Sequence, residues 1–151
     1  KLGITMVYVT HDQTEAMSMA DQVALLNAGR IEQDAVPAEL YARPATVFAA
    51  RFIGTPPMNV IDCPGRADLK LGVRPEHIRI DGDGIAATVE SVEYFGADSI
   101  VVCRIGDSGG VSVRVGGHLR ASAGESLRLS WPAEQQHFFA ADSAVINTVG
   151  R

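Results

Sequence analysis

Gly54-Thr55-Pro56-Pro57 places one glycine and two prolines in four consecutive positions. Neither a helix nor a central strand runs through such a stretch, because each proline lacks a backbone donor and disfavours the helical conformation in the residue before it. The break also divides two textures. Before it, apolar residues recur largely at helical spacing; after it, short stretches alternate between apolar and polar residues. We therefore expect two parts, residues 1–54 and 55–151, a length that suits one domain or two small ones. With 46% hydrophobic and 21% charged residues, the chain has the balance of a packed globular protein and not of a disordered one. Its 18 acidic residues outnumber 13 basic ones, for a formal charge of -5. That sign opposes neutralisation of a phosphate backbone, so direct nucleic-acid binding is disfavoured.

In the first part, Ile4-Thr5-Met6-Val7-Tyr8-Val9 is a short apolar run rich in β-branched residues. It reads as a strand buried on both faces of a parallel sheet and is far shorter than the roughly 20 residues needed to cross a bilayer. Asp12, followed three positions later by Glu15, has the pattern of a capping box opening a helix from Gln13 to Ala20. Gln22 to Leu26 and Ile31 to Gln33 flank the turn residues Asn27-Ala28-Gly29-Arg30 and form a hairpin. A helix begins at Pro37 and is stopped by Arg43-Pro44; a second, Thr46 to Ile53, puts Val47, Ala50 and Ile53 on one face. The chain opens on Lys1 with no basic-then-apolar leader, and we expect a piece of a longer protein or a processed form.

In the second part, Val111, Val113 and Val115 alternate with polar residues, as do Leu127, Leu129 and Trp131, which is the period of half-buried strands. Leu69 to Val73, Ile78 to Ile80, Ala86 to Phe95 and Ser99 to Ile105 are further strands. Glu90-Ser91-Val92-Glu93 interrupts the alternation and predicts a bulge or a sheet crossing. Strands this short, punctuated by glycines, make a small sandwich or barrel.

His11 is the residue whose setting argues for chemistry, standing at the end of the predicted buried strand and directly before a helix. Ligands of open α/β sheets collect outside the carboxyl ends of strands, and a helix start favours anions. On position alone, a histidine that caps the turn through a backbone hydrogen bond is the simpler reading. The other histidines, His77, His118 and His137, are dispersed without partners at metal-ligand spacing. Asp81-Gly82-Asp83-Gly84 has part of a calcium-loop pattern but lacks the twelve-residue spacing and closing Glu, and is read as a turn. Cys63 and Cys103 are read as reduced packing residues, with a bridge as the alternative. Trp131, Phe138 and Phe139 are expected in the core, with a ligand platform as the alternative, and Arg74-Pro75-Glu76 is read as a strand start or bend with a surface ion pair worth little.

Val9-Thr10-His11-Asp12-Gln13, Glu15-Ala16-Met17, Ala20-Asp21 and the hairpin from Leu26 to Gln33 together resemble the switch-histidine region of ABC transporter ATPases. Pro37, Glu39-Leu40-Tyr41, Pro44, Phe48 and Phe52-Ile53-Gly54-Thr55-Pro56-Pro57-Met58-Asn59 extend the resemblance to the importer branch serving carbohydrates and glycerol phosphates. Leu71-Gly72-Val73-Arg74-Pro75-Glu76-His77-Ile78 is similar to the marker strand of that branch's regulatory domain, an oligonucleotide/oligosaccharide-barrel-like (TOBE/MOP-like) module, and Glu93 to Asp98 fits as well.

The resemblance implies an α+β chain, with the C-terminal remnant of a P-loop ATPase α/β domain in 1–54 and an all-β regulatory domain in 55–151. It implies that His11 is the switch histidine touching the γ-phosphate, and that ATP and Mg serve the complete parent protein. The implied partners are a second ATPase subunit, two membrane permeases with a solute-binding protein, and a cytoplasmic regulatory protein or metabolite, at the cytoplasmic face of the plasma membrane. Within that branch, Glu93 to Asp98 and Trp131 to Phe139 lean towards glycerol-3-phosphate importers. No GxxxxGK[ST] loop occurs, and Lys1 and Lys70, the only lysines, follow no glycine loop. This chain alone is therefore expected to bind no cofactor and to be inactive, serving regulation and dimerisation, and its uncovered Ile4 to Val9 face is expected to make it self-associate. A free-standing β module binding oxyanions or another small ligand is the alternative.

Overall fold

The computed structural model describes residues 3–141. Three short helices and one hairpin precede the glycine-proline break. Helix α1 (Gln13–Met19) is followed by β1 (Val23–Asn27) and β2 (Arg30–Ala35), then α2 (Pro37–Ala42) and α3 (Val47–Phe52). The β1–β2 turn has positive φ at both central residues, Ala28 at 48° and Gly29 at 77°, the geometry that matches the right-handed twist of the two strands. Pro37 opens α2, and the Thr46 side chain caps α3 by accepting from the Ala49 amide at 3.0 Å. Leu25, Ala35, Leu40, Ala49 and Ile53 pack the hairpin onto α2 and α3, with Met17 of α1 at the edge.

The rest of the described chain is β apart from two 3-10 turns, Pro75–His77 and Ala133–Gln135. Strands β3 (Asn59–Cys63), β4 (Arg66–Val73) and β9 (His137–Ala140) form an antiparallel three-stranded sheet in the order β3-β4-β9. Strands β5 (Arg79–Tyr94), β6 (Asp98–Arg104), β7 (Gly110–Gly116) and β8 (Ser126–Ser130) form a second antiparallel sheet, in the order β7-β6-β5-β8. Their inner faces share a core that includes Leu71, Val73, Val89, Val101, Val111, Val113 and Leu129. Asn59 joins the two sheets by imitating a strand neighbour: its Nδ2 donates to Ser112 O at 2.7 Å and its Oδ1 accepts from Ser112 N at 2.8 Å.

The interruption at Glu90 is a bulge. Val89 faces Cys103 and Ser91 faces Val102, which leaves Glu90 unpaired against β6 and moves the inward face from Ala87 and Val89 to Val92. Asp81-Gly82-Asp83-Gly84 loops out of the ladder between Ile80 and Ile85, both of which face Leu129. Gly84 lies so close to that strand that a Cβ there would sit 2.3 Å from Leu129 O. Phe139 is fully buried, while Trp131 and Phe138 are half-buried against the β core. Both cysteines are free, with Cys103 in the core. Burial, and secondarily Glu90, push the Cys103 thiol up.

The expected strand at Ile4 to Val9 does not form. Residues 3–10 adopt neither helix nor strand, and Ile4, Met6, Val7 and Val9 are exposed. A parallel strand takes its hydrogen bonds from flanking strands, and the described residues offer it none. The small strands β3 and β9 are absent from the sequence reading, and the stretches expected as separate strands at Ile78 to Ile80 and Ala86 to Phe95 fall largely within the one strand β5.

Candidate functional site

His11 lies in the bend that leads into α1, exposed, and no hydrogen bond engages its imidazole among the described residues. It is not a turn-capping histidine; its neighbours hold the turn instead. Asp12 caps α1, its Oδ1 accepting from Thr14 N at 2.8 Å and Glu15 N at 3.2 Å. The reciprocal half of the expected capping box is replaced. Glu15 Oε2 accepts from Thr10 Oγ1 at 2.7 Å and from Tyr8 OH at 3.3 Å, while Asp12 N donates to Thr10 Oγ1 at 3.0 Å. The residues on either side of His11 are thus tied to one another and to the first turn of α1, which leaves the imidazole free to meet something outside this network.

Gln13, the first residue of α1, reaches to the glycine-proline break. Its Oε1 accepts from Gly54 N at 2.6 Å and its Nε2 donates to Thr55 Oγ1 at 3.3 Å. Since α1 has no buried residue, this carboxamide and the Met17 contact are what hold the helix to the rest.

Arg74 corrects the surface-pair reading. The side chain is 1% exposed, and the whole run Leu71-Gly72-Val73-Arg74-Pro75 is buried. Its guanidinium donates to three main-chain carbonyls of the helical part, at 2.5 Å to Ile53 O, 2.7 Å to Tyr41 O and 3.4 Å to Ala50 O, and lies 4.0 Å over the Tyr41 ring. Burial pulls the Arg74 pKa down from its usual value, with Tyr41 and Glu76 opposing. Glu76 instead accepts from Tyr41 OH at 2.5 Å; burial first, and then this carboxylate, raise the Tyr41 phenol. Two neighbours explain the glycines around Arg74. A Cβ on Gly54, where φ is +111°, would lie 2.7 Å from Arg74 Nη1, and one on Gly72 would lie 2.5 Å from the Phe139 ring. Phe139 itself packs with Ala50 and Met58, a small cluster joining α3 to the β3-β4-β9 sheet.

The remaining histidines are not brought together with His11. His118 packs against Tyr94 at 4.8 Å with the rings tilted by 56°, and His137, stacked at 6.5 Å on Phe139, is held below the ordinary imidazole range by burial and then by Arg74 and His77. Among the described residues no three His, Cys, Asp or Glu side chains converge as metal ligands would. The residues near His11 do not by themselves fit a nucleotide: the one described lysine, Lys70, is on β4, paired with Asp62 at 2.5 Å, and no glycine loop cradles phosphate. Sequence reasoning missed Gln13 and the burial of Arg74. The available signal was an arginine continuing the apolar run Leu71-Gly72-Val73 into a proline, where an exposed side chain has no room to alternate.

The TOBE domain profile matches residues 71–139. The chain is 44% identical to the sn-glycerol-3-phosphate import ATP-binding protein UgpC of Brucella abortus (strain 2308), covering 93% of this chain and 46% of that protein. It is 38% identical to UgpC of Chromohalobacter salexigens, covering 100% and 48%, and 37% identical to UgpC of Psychromonas ingrahamii, covering 95% and 46%. The chain therefore spans about half the length of the curated relatives it matches. With the resemblance around His11 and the buried Leu71 to Pro75 run, these matches identify the chain as corresponding to the C-terminal part of an ABC transporter ATP-binding subunit of the carbohydrate and glycerol-3-phosphate importer family, carrying a TOBE domain.

Proposed function

We propose that this chain works as the C-terminal part of an ATP-hydrolysing importer subunit for sugars or glycerol-3-phosphate. Residues 1–54 close the nucleotide-binding domain, a remnant of the P-loop ATPase fold, and 55–151 form a regulatory β domain. The observation that carries this reading is the match to import ATP-binding proteins across nearly the whole chain, at 37–44% identity for the relatives named above. The free imidazole of His11, held out on a turn braced by Thr10, Asp12 and Glu15, supports the same assignment. In the complete subunit His11 contacts the γ-phosphate, where positioning and charge stabilisation carry most of phosphoryl-transfer catalysis.

The phosphate loop and its lysine, with the carboxylates that hold Mg, belong to the other part of the subunit, so this chain alone hydrolyses nothing. Its partners are a second ATP-binding subunit, two membrane permeases and a solute-binding protein, with a cytoplasmic regulatory protein or metabolite reading the β domain. No helix among the described residues is long and apolar enough to cross a membrane. It is the resemblance to importer ATPases that leads us to assign the subunit to the cytoplasmic face as a peripheral component. The test is His11→Ala in the complete subunit assembled with its permeases. ATP turnover is expected to fall to background while ATP binding persists; a variant that turns over ATP at the parent rate overturns the reading.

A further inference from the structure

A single peptide group, the Ile53 carbonyl with the Gly54 amide, is held at both ends by residues from separate elements. On its oxygen, Arg74, which follows β4, donates a charge-assisted bond at 2.5 Å; on its N–H, Gln13 of α1 accepts at 2.6 Å. A cationic donor on the oxygen polarises the amide and strengthens its N–H as a donor, so the two bonds reinforce each other. The group is also built to stay in place. Gly54 adopts φ +111°, any side chain there would run into Arg74 Nη1, and the guanidinium is fixed by Tyr41 O and the Tyr41 ring. On the other side, Gln13 is two residues from His11 and begins a helix with no buried residue, so its bond to the Gly54 amide ties the start of α1 to this peptide.

We propose that Gln13 and Arg74 are positioning residues for His11, coupled through the Ile53–Gly54 peptide, so that the seating of the β domain against α3 sets where the His11 imidazole stands. This rests on the reading of His11 given above. The connection supplies a direct physical route from the β domain to catalysis: a partner or metabolite that shifts Arg74 weakens the peptide's hold on Gln13 and lets the His11 turn drift. Displacement of a catalytic group by about 1 Å costs up to roughly a hundredfold in rate.

The experiment compares ATP hydrolysis by the complete subunit in its transporter for His11→Ala, Gln13→Leu, Gln13→Glu, Arg74→Lys and the Gln13→Leu/Arg74→Lys pair. Gln13→Leu removes the acceptor at similar size and is expected to lower kcat roughly tenfold with KM for ATP within about twofold. Gln13→Glu keeps an oxygen for the Gly54 amide and is expected to recover most of the rate. The double variant is expected to be no slower than the worse single one, because both act through one peptide. Hydrogen exchange provides a readout independent of turnover: the Gly54 amide is expected to exchange faster in Gln13→Leu while amides of β5 and β6 are unchanged. If Arg74→Lys does not fold, the two Gln13 variants decide alone. An unchanged kcat in Gln13→Leu, a rise in KM alone, or additive losses in the double variant overturn the coupling while His11→Ala stays inactive. An active His11→Ala variant instead overturns the assignment of His11, and the coupling falls with it.

Discussion

Replacing Arg74 by methionine tests whether the buried guanidinium holds the two parts of the chain together. Methionine nearly matches the stem of arginine and fills much of its volume, so the cavity left behind is small and the loss is mainly polar. Two well-formed acceptors, Ile53 O at 2.5 Å and Tyr41 O at 2.7 Å, lose their donor in a site that is 1% exposed, and the contact with the Tyr41 ring at 4.0 Å loses its charge. Hydrogen bonds to charged groups contribute about 1.5–3 kcal/mol each, and the stacked cation about 1–2 kcal/mol. Against this stands the desolvation of a cation that has no carboxylate in direct contact, whose relief returns several kcal/mol. The net expectation is a loss of about 3 kcal/mol. Urea unfolding followed by Trp131 fluorescence and by circular dichroism measures it, provided both probes give one transition with unchanged slope. A midpoint shift equivalent to less than about 0.5 kcal/mol, the range of an ordinary surface substitution, would refute the reasoning and return Arg74 to the surface role that the sequence suggested.

Three further outcomes follow from the same geometry. Gly84→Ala is expected to destabilise by about 2–4 kcal/mol in the same assay, because the new Cβ meets the Leu129 main chain at 2.3 Å and a strand backbone cannot step aside as a side chain would. His137, with a folded-state pKa below its ordinary value near 6.5, is protonated first in the unfolded chain. Stability is therefore complete above about pH 6.5 and declines as pH falls from there towards the folded value; in His137→Gln that part of the pH–stability curve is expected to flatten. Exposed Ile4, Met6, Val7 and Val9 are expected to make the isolated chain self-associate, and Val7→Asp with Val9→Asp to reduce this, as read by light scattering; a clean monomer of the parent chain at high concentration would contradict it.

Much of the local structure was legible in the residues themselves. Asp12 and Thr46 cap helices because a short side-chain oxygen reaches the free amides of the first turn, and Pro37 and Pro44 bracket α2 through a fixed φ and a missing donor. The valines of β7 lie inward because the strand period is two. The bulge at Glu90 showed as a break in that period, since an extra residue on one strand moves every later side chain to the other face. The turn at His11 was legible only through the Asp12 cap that follows it; its bracing through Thr10 and Glu15 was not.

What the sequence determined, then, were features set by neighbours a few positions away: caps, turns, alternation, the break at Gly54 to Pro57, and the motifs around His11 and Arg74. The tertiary structure decided the rest. Strands β3 and β9 depend on pairing with β4, for β9 across about seventy residues, and neither Asn59–Cys63 nor His137–Ala140 alternates apolar with polar residues. Ile4 to Val9 has the composition of a buried strand, but a strand exists only when neighbours complete its hydrogen bonds. Arg74 and Gln13 bind main-chain atoms of residues 41, 50, 53 and 54. Every residue carries a carbonyl and nearly every one an amide, so nothing in the side-chain sequence marks which of them a distant arginine or glutamine will find.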